Sequence, residues 1–419
     1  MLLQFSARNF ASFKDELILD LIPSSDKSHQ ENLIVKDKFK GLTSVAIFGA
    51  NASGKSNVLK ALSVALITIR HSTYIQPNQP IPYNPFAFSS ETLNMPTEYE
   101  FVFLANDGIK YIYGFSHDGK RIHEEYLYGY YTNQPTKIFE RLKDDIEYTD
   151  EEKQYIKPLL GKTPSNKLFL TTANTFNYSK VTPAFDWLSY SIDSYGFNQD
   201  DNSALESLYL DELSGDNSAK LFTLKLLKQA DLNIKDFIIN RTIIPQGTSG
   251  NINLDPNSFV RINPTTDSYI YSISFYHPAD NGDNVSLPFG AESLGTQQLF
   301  RISVVLNKVM KNGSVMIVDE LDDSLHPFLV KMLVDLFRNP EVNTCGAQLI
   351  FTSHDTNQLN LDYFRRDQIY FTSKDYNKGE SELYALSDYS VRKDENIRKA
   401  YLLGRYGAIP NIETEELIV

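Results

Sequence analysis

The amino-acid sequence predicts an α/β fold with a mixed central sheet, an antiparallel β-subdomain and a mainly helical insertion. Three patterns carry that reading. The runs "VMIV" at 315–318 and "LIF" at 349–351 have no polar interruption, as strands buried on both faces of a sheet require. Between Glu98 and Leu142 the residues alternate, as in "EYEFVFL", and "NDG" and "HDGK" supply hairpin turns. From 145 to 235 the apolar spacing becomes mainly helical.

In chain order, the opening "MLLQFSARNFASFKDELILDL" reads as two strands around a polar turn. A Ser/Asp/Lys-rich loop then leads to the apolar run Val45–Phe48. A helix from about Asn57 to Arg70 follows, with apolar residues at helical spacing in "NVLKALSVALI". Residues 72–97 contain five prolines and read as a long loop. The tyrosines of the β-rich stretch suit a half-buried antiparallel sheet better than a base-stacking platform. Within the insertion, "SAKLFTLKLLKQADL" places Leu221, Leu224, Leu227 and Leu232 near one face, as in a core helix. Ile243–Pro288 is turn-rich, with strand character in "SYIYSISFYH". No internal repeat and no long heptad run is present. These changes of pattern divide the chain at 1–144, 145–242 and 243–419.

The 419 residues have an ordinary globular composition and a net charge of −13. That balance works against nonspecific adhesion to DNA or RNA, so a nucleic-acid partner is not indicated by charge, although a local basic groove stays open. No apolar run approaches a membrane span, and "MLLQFSARNF" has no secretory h-region. The single cysteine, Cys345, is expected to be a small buried side chain, and the setting a reducing cytoplasm.

The chemistry concentrates in four places. "GANASGKSN" (49–57) fits G-x-x-x-x-G-K-[ST], with Gly49, Gly54, Lys55 and Ser56 in the fixed positions. Glycines let successive backbone N–H groups point inward at a phosphate, Lys55 reaches its outer oxygens, and Ser56 offers a hydroxyl to Mg²⁺. The helix that follows aims its positive end at the same anion. Far along the chain, "SVMIVDE" ends a buried strand in Asp319 and Glu320. One acid there can hold Mg²⁺ and the next can polarise a water. In "ESLGTQQLFRISVVL", Ser293 caps a helix and Gly295 permits close approach, which makes a second anion-facing helix end. "QLIFTSHDTNQL" carries His354 just beyond another buried strand, where it can sense a terminal phosphate. "NKVM" (307–310) lacks the Asp that would read guanine. No other metal-ligand cluster suggests a self-sufficient nuclease.

The order phosphate loop, Ser-x-Gly helix, strand-Asp-Glu, strand-His resembles that of the ATP-binding cassette (ABC) ATPases, in the split-headed branch of SMC and RecF types. The resemblance implies ATP and Mg²⁺ as ligands, with Asn51 and Asn57 beside the phosphates and Asp319 at the metal. It implies Glu320 as general base and His354 as switch residue. Ser293 and Gly295 would act across a homodimer, alone or within a larger assembly. "LDDSLHP" would cross the dimer interface, with His326 an interface or capping residue. Adenine would rest near Arg8–Phe13. The sequence departs from the branch in reading "ESLGTQQ" for Leu-Ser-Gly-Gly-Gln, and in lacking coiled-coil heptads. It also has no obvious Mg²⁺-contacting glutamine, Gln76 and Gln79 being the loop candidates. A narrower resemblance, carried by "RNFASFKDE", "DELDDSLHP", "RRDQIYF" and "GRYGAIPNI" together with the motifs above, is to stand-alone ATPases of bacterial abortive-infection and anti-phage systems, the RloA and AbiL type. It implies a sensor or regulator of a separate effector protein, a nuclease or toxin. A RecF-like ATPase that clamps DNA is the alternative.

Overall fold

The computed structural model describes residues 1–150, 152–195, 210, 213–230, 232–244, 259–261, 268–392 and 395–409. Strands β1 (Leu2–Arg8) and β2 (Leu17–Asp20) open the chain. A ribbon of β3 (Leu33–Lys36) and β4 (Phe39–Leu42) leads to β5 (Ser44–Gly49) and helix α1 (Lys55–His71). Then come β6 (Thr97–Leu104), β7 (Lys110–His117), β8 (Ile122–Tyr130), β9 (Thr136–Leu142) and β10 (Asp145–Glu147). Helices α2 (Lys153–Leu160), α3 (Phe169–Thr175) and α4 (Thr182–Tyr190) precede β11 (Ile192–Tyr195) and α5 (Asn217–Gln229). Strands β12 (Asp236–Ile244), β13 (Phe259–Arg261), β14 (Ser268–Pro278) and β15 (Asn284–Pro288) lead to α6 (Leu294–Asn312). The chain continues through β16 (Val315–Val318), α7 (Pro327–Arg338), β17 (Gln348–Thr352), β18 (Ile369–Asp375), β19 (Glu380–Ala385) and α8 (Ile397–Leu402).

The central sheet runs β11-β16-β17-β5-β18-β19, parallel throughout except for the antiparallel β18–β19 pair. Its apolar runs are explained by two-faced burial. On β5, Val45 and Ile47 pack on the side of α1, with Leu59, Leu62 and Ile69. Ala46 and Phe48 turn to the opposite side, where α6 brings Leu299 and Phe300 and α7 brings Val330 and Val334. Because β5, β16 and β17 run parallel, the loops beyond them lie at one edge of the sheet.

The antiparallel sheet runs β10-β9-β8-β7-β6-β1-β2. Tyr111 and Tyr113 are buried in it, and Trp187 of α4 stacks on Phe103 at 4.3 Å. A smaller sheet pairs β14 with β12, β13 and β15. Residues 145–242 are helical in α2–α5, yet they give a strand to each of these three sheets: β10, β11 and β12.

Several expectations are corrected. The ribbon β3–β4 falls in the stretch read as loop, because four-residue strands are too short to show a period. Helix α1 starts at Lys55, directly after Gly54. On α5 the packed stripe is Ala219, Thr223, Leu226 and Leu227, whereas Leu221 is exposed. Cys345 is exposed as well: it lies with Thr344 on the outside of the turn that Gly346 (φ 75°) makes, and burial resumes at Gly346 itself. The end of the tail motif, residues 410–412, lies outside the described residues. Among the described residues no helix is long and apolar enough to cross a membrane.

Candidate functional site

The loop between β5 and α1 is shaped by what stands next to it. A Cβ on Gly49 would lie 2.4 Å from Thr372 Oγ1 and 2.6 Å from Ser53 Oγ, so no larger residue fits beside β18. Gly54 adopts φ 114°, a conformation that strains L side chains, and a Cβ there would meet Ser381 Oγ at 2.8 Å. Lys55, the first residue of α1, is 5% exposed and donates to the carbonyls of Gly49 (2.8 Å) and Ala50 (3.0 Å). Burial pulls its ammonium below the usual lysine range, while Glu320, Asp319 and Asp322 oppose that shift. An inward-curled loop, a helix N-terminus and a desolvated ammonium together favour a polyanion.

The acids stand across from it. Ser56 Oγ donates to Asp319 Oδ1 (3.1 Å), and Thr352 Oγ1 donates to the same oxygen (2.7 Å). Thr352 Oγ1 also accepts the Glu320 N–H at 2.7 Å. That bond helps hold Glu320 in a left-handed conformation (φ 52°), which costs a non-glycine residue about 1 kcal/mol or more. His354 Nε2 lies 3.6 Å from Glu320 Oε1, and the His354 N–H is accepted by the Asp322 carboxylate at 3.1 and 3.2 Å. Three neighbouring parallel strands thus deliver their loops to one cleft of about 430 Å³. Asn51, Gly54, Lys55, Ser56, Asn57, Glu320, His354 and Lys374 line it. Asn57 is fixed by donating to Ser12 Oγ at 2.8 Å.

Not every sequence candidate converges here. Ser293 caps α6, its Oγ accepting the Thr296 N–H at 3.1 Å, and neither Ser293 nor Gly295 lines the cleft. Gly295 instead lies against the segment after Glu320: a Cβ on it would be 2.8 Å from the Ser324 carbonyl oxygen. His326 is a capping residue, its Nδ1 accepting the Phe328 N–H that opens α7. Gln79 accepts the Gln76 N–H through its Oε1 (2.7 Å), and neither glutamine lines the cleft. In Arg8–Phe13, Ser12 borders the phosphate loop, but Phe10 and Phe13 are buried and present no stacking face.

Three contributors were missed: Thr352 as the bridge between Asp319 and Glu320, Asp322 as the anchor of the His354 backbone, and Lys374. Thr352 and Asp322 sit inside quoted motifs, so their polar character was the available signal. Lys374 had none, since only the pairing of β18 with β5 brings it to the cleft.

Ser56 Oγ and Asp319 Oδ1 form an oxygen donor set that fits Mg²⁺, a hard cation that would neutralise phosphate charge when bound.

A phosphate loop on a mixed sheet, with an acid pair and a histidine on the neighbouring strands, has the layout of a nucleoside-triphosphate site of the P-loop class. More particularly, the chain belongs to the family described as "AAA domain, putative AbiEii toxin, Type IV TA system", whose model matches residues 44–362. Among solved structures it is similar to the SMC head domain from Thermotoga maritima, at 14% identity and TM-score 0.40, with 92% of this chain and 98% of that chain covered. It is similar also to an Smc head domain with a coiled coil and joint from Pyrococcus yayanosii, at 10% identity and TM-score 0.42, covering 96% and 99%. A third similarity is to the recombination mediator RecF bound to ATP, at 12% identity and TM-score 0.37, covering 92% and 97%. No curated protein matches the chain.

Proposed function

We propose that this protein hydrolyses ATP in a head-to-tail homodimer and regulates a separate effector, a nuclease or toxin, in cytoplasmic anti-phage defence of the RloA and AbiL type. Residues 1–144 and 243–419 are the two halves of the head, and 145–242 is inserted between them. The observation that carries the reading is the relay Ser56–Asp319–Thr352–Glu320 beneath one cleft, with His354 3.6 Å from Glu320. Gly49, Gly54, Lys55 and the N-terminus of α1 hold the phosphates, and Asn51 and Asn57 flank them. Ser56 and Asp319 hold Mg²⁺. Glu320 takes a proton from the water that attacks the γ-phosphorus as the bond to the ADP oxygen breaks, and His354 faces the departing phosphate. Ser293 and Gly295 lie outside their own chain's cleft, which supports their closing over the nucleotide of a second copy.

The test is to purify the Glu320→Gln protein with and without Mg-ATP. Expected are lost turnover, an ATP-dependent dimer, and a stoichiometric partner protein that disappears when Lys55 is changed to Ala. Normal turnover would remove Glu320 as base, and equal dimer content in both conditions would remove the trans role of Ser293. DNA recovered without a protein partner would replace the effector reading with a DNA clamp.

A further inference from the structure

The strand order gives the cleft two ends. Strands β16 and β17, which deliver Asp319, Glu320 and His354, lie on one side of β5, and β18 and β19 lie on the other. A triphosphate whose outermost phosphorus faces Glu320 therefore extends its remaining part toward β18 and β19. There a second pocket, of about 790 Å³, adjoins the first and shares Lys374 with it. Its walls include Lys14, Phe88, Tyr376, Gly379 and Glu380. Two of these walls abut the phosphate loop through their neighbours in sequence. Ser381, beside Glu380, would be 2.8 Å from a Cβ on Gly54, and Ser12, near Lys14, bonds to Asn57.

Phe88 is the unusual member. The residue is 70% exposed, yet its ring packs against two neighbours. It meets buried Phe86 edge-on at 5.7 Å, and it presses so closely on Gly379 that a Cβ there would be 2.7 Å from its Cδ2. Gly379 has φ 71°, so the tight approach and the turn both require glycine. Lys374 Nζ lies 5.9 Å from the Phe88 ring centroid, and Tyr376 is also exposed. Lys14 and Glu380 form an ion pair at 3.2 Å in the same wall. A lone exposed aromatic needs no explanation. An immobilised one, in a concavity that continues a phosphate cleft with a cation at the junction, is a stacking platform for a flat base.

We infer that this pocket holds the purine nucleoside of the bound nucleotide, with Phe88 stacking on the base and Lys374 spanning the phosphate and nucleoside parts. The inference rests on the phosphate-site reading above, and the two can fail separately. The full chain and its variants are titrated with Mg-ATP and, separately, with inorganic tripolyphosphate. Phe88→Ala is expected to weaken ATP about tenfold while leaving tripolyphosphate unchanged, and Phe88→Tyr to stay within about twofold of the parent for both. Unchanged ATP affinity in Phe88→Ala, or equal weakening of both ligands, overturns the pocket assignment. Lys55→Ala is expected to lose both ligands; if it binds both as the parent does, the phosphate site falls and this pocket falls with it.

Discussion

The N-termini of helices α1 and α6 both carry glycine and serine, yet they are built differently. That of α1 is recessed: Gly54 takes φ 114°, Lys55 is 5% exposed, and an acid and a histidine from two further strands close around it. That of α6 is self-satisfied: Ser293 caps it through the Thr296 N–H, Leu294 beside the cap is 70% exposed, and Gly295 lies against the carbonyl of Ser324. The first is a pocket in its own chain. The second lies outside that cleft, and in the proposed dimer it would close the other copy's pocket, so that the same residue types, glycine and serine at a helix start, would serve different ends.

The hardest break in that contrast is at Lys55. We predict that Lys55→Ala raises the Kd for Mg-ATP by about 100-fold or more, since charge-assisted bonds to phosphate are lost. Calorimetric titration measures it, and a change below about threefold would remove Lys55 from the phosphate site. Next comes Glu320→Gln, which keeps shape and size but gives up the base. Turnover is expected to fall about 10²–10⁴-fold with ATP affinity retained. Loss of affinity in step with turnover would instead make Glu320 a binding group.

The α6 end is tested by mixing. Ser293→Arg blocks the surface, and the lost cap costs only about 1 kcal/mol, too little to unfold the chain. Ser293→Arg and Lys55→Ala are each expected to be inactive alone. In an equal mixture that exchanges subunits, a heterodimer pairs one intact phosphate loop with one intact α6 end, so about a quarter of the parent's activity returns. If mixing restores nothing although the subunits exchange, both ends belong to one site in one chain and the contrast between them disappears.

The same contrast sets what the sequence could disclose. Glycine spacing and the apolar runs before the acids and His354 are local consequences of local demands, so β5, α1, β16, β17 and the residues at their ends were legible. The sheet order was not. Ile192–Tyr195 became an edge strand of the central sheet because β16 offered it a parallel partner, and no period in four residues signals that. Lys374 and Phe88 reach the nucleotide region through the pairing of β18 with β5 and the contact of Phe88 with Gly379, both long-range. Cys345 was misread because flanking apolar residues in sequence are not its neighbours around the turn at Gly346.

The smallest effect concerns acid and the scaffold, through a histidine in the antiparallel sheet. In the antiparallel sheet His117 is fully buried, stacked on Phe115 at 6.0 Å, with its Nδ1 accepting the Gly119 N–H. Burial pulls its imidazole down to about 4, against the raising pull of Asp118 and with a further lowering from His123. Its folded value thus lies below the unfolded 6.5, so between these two pH values the unfolded chain holds more protons and stability falls as pH falls. The loss grows to about 3 kcal/mol near pH 4. His117→Asn keeps an acceptor for Gly119 and cannot be protonated. We predict lower stability at pH 7, from the lost stacking, but a shallower decline toward pH 4 in denaturant midpoints. Parallel declines in the two proteins would clear His117 of the effect.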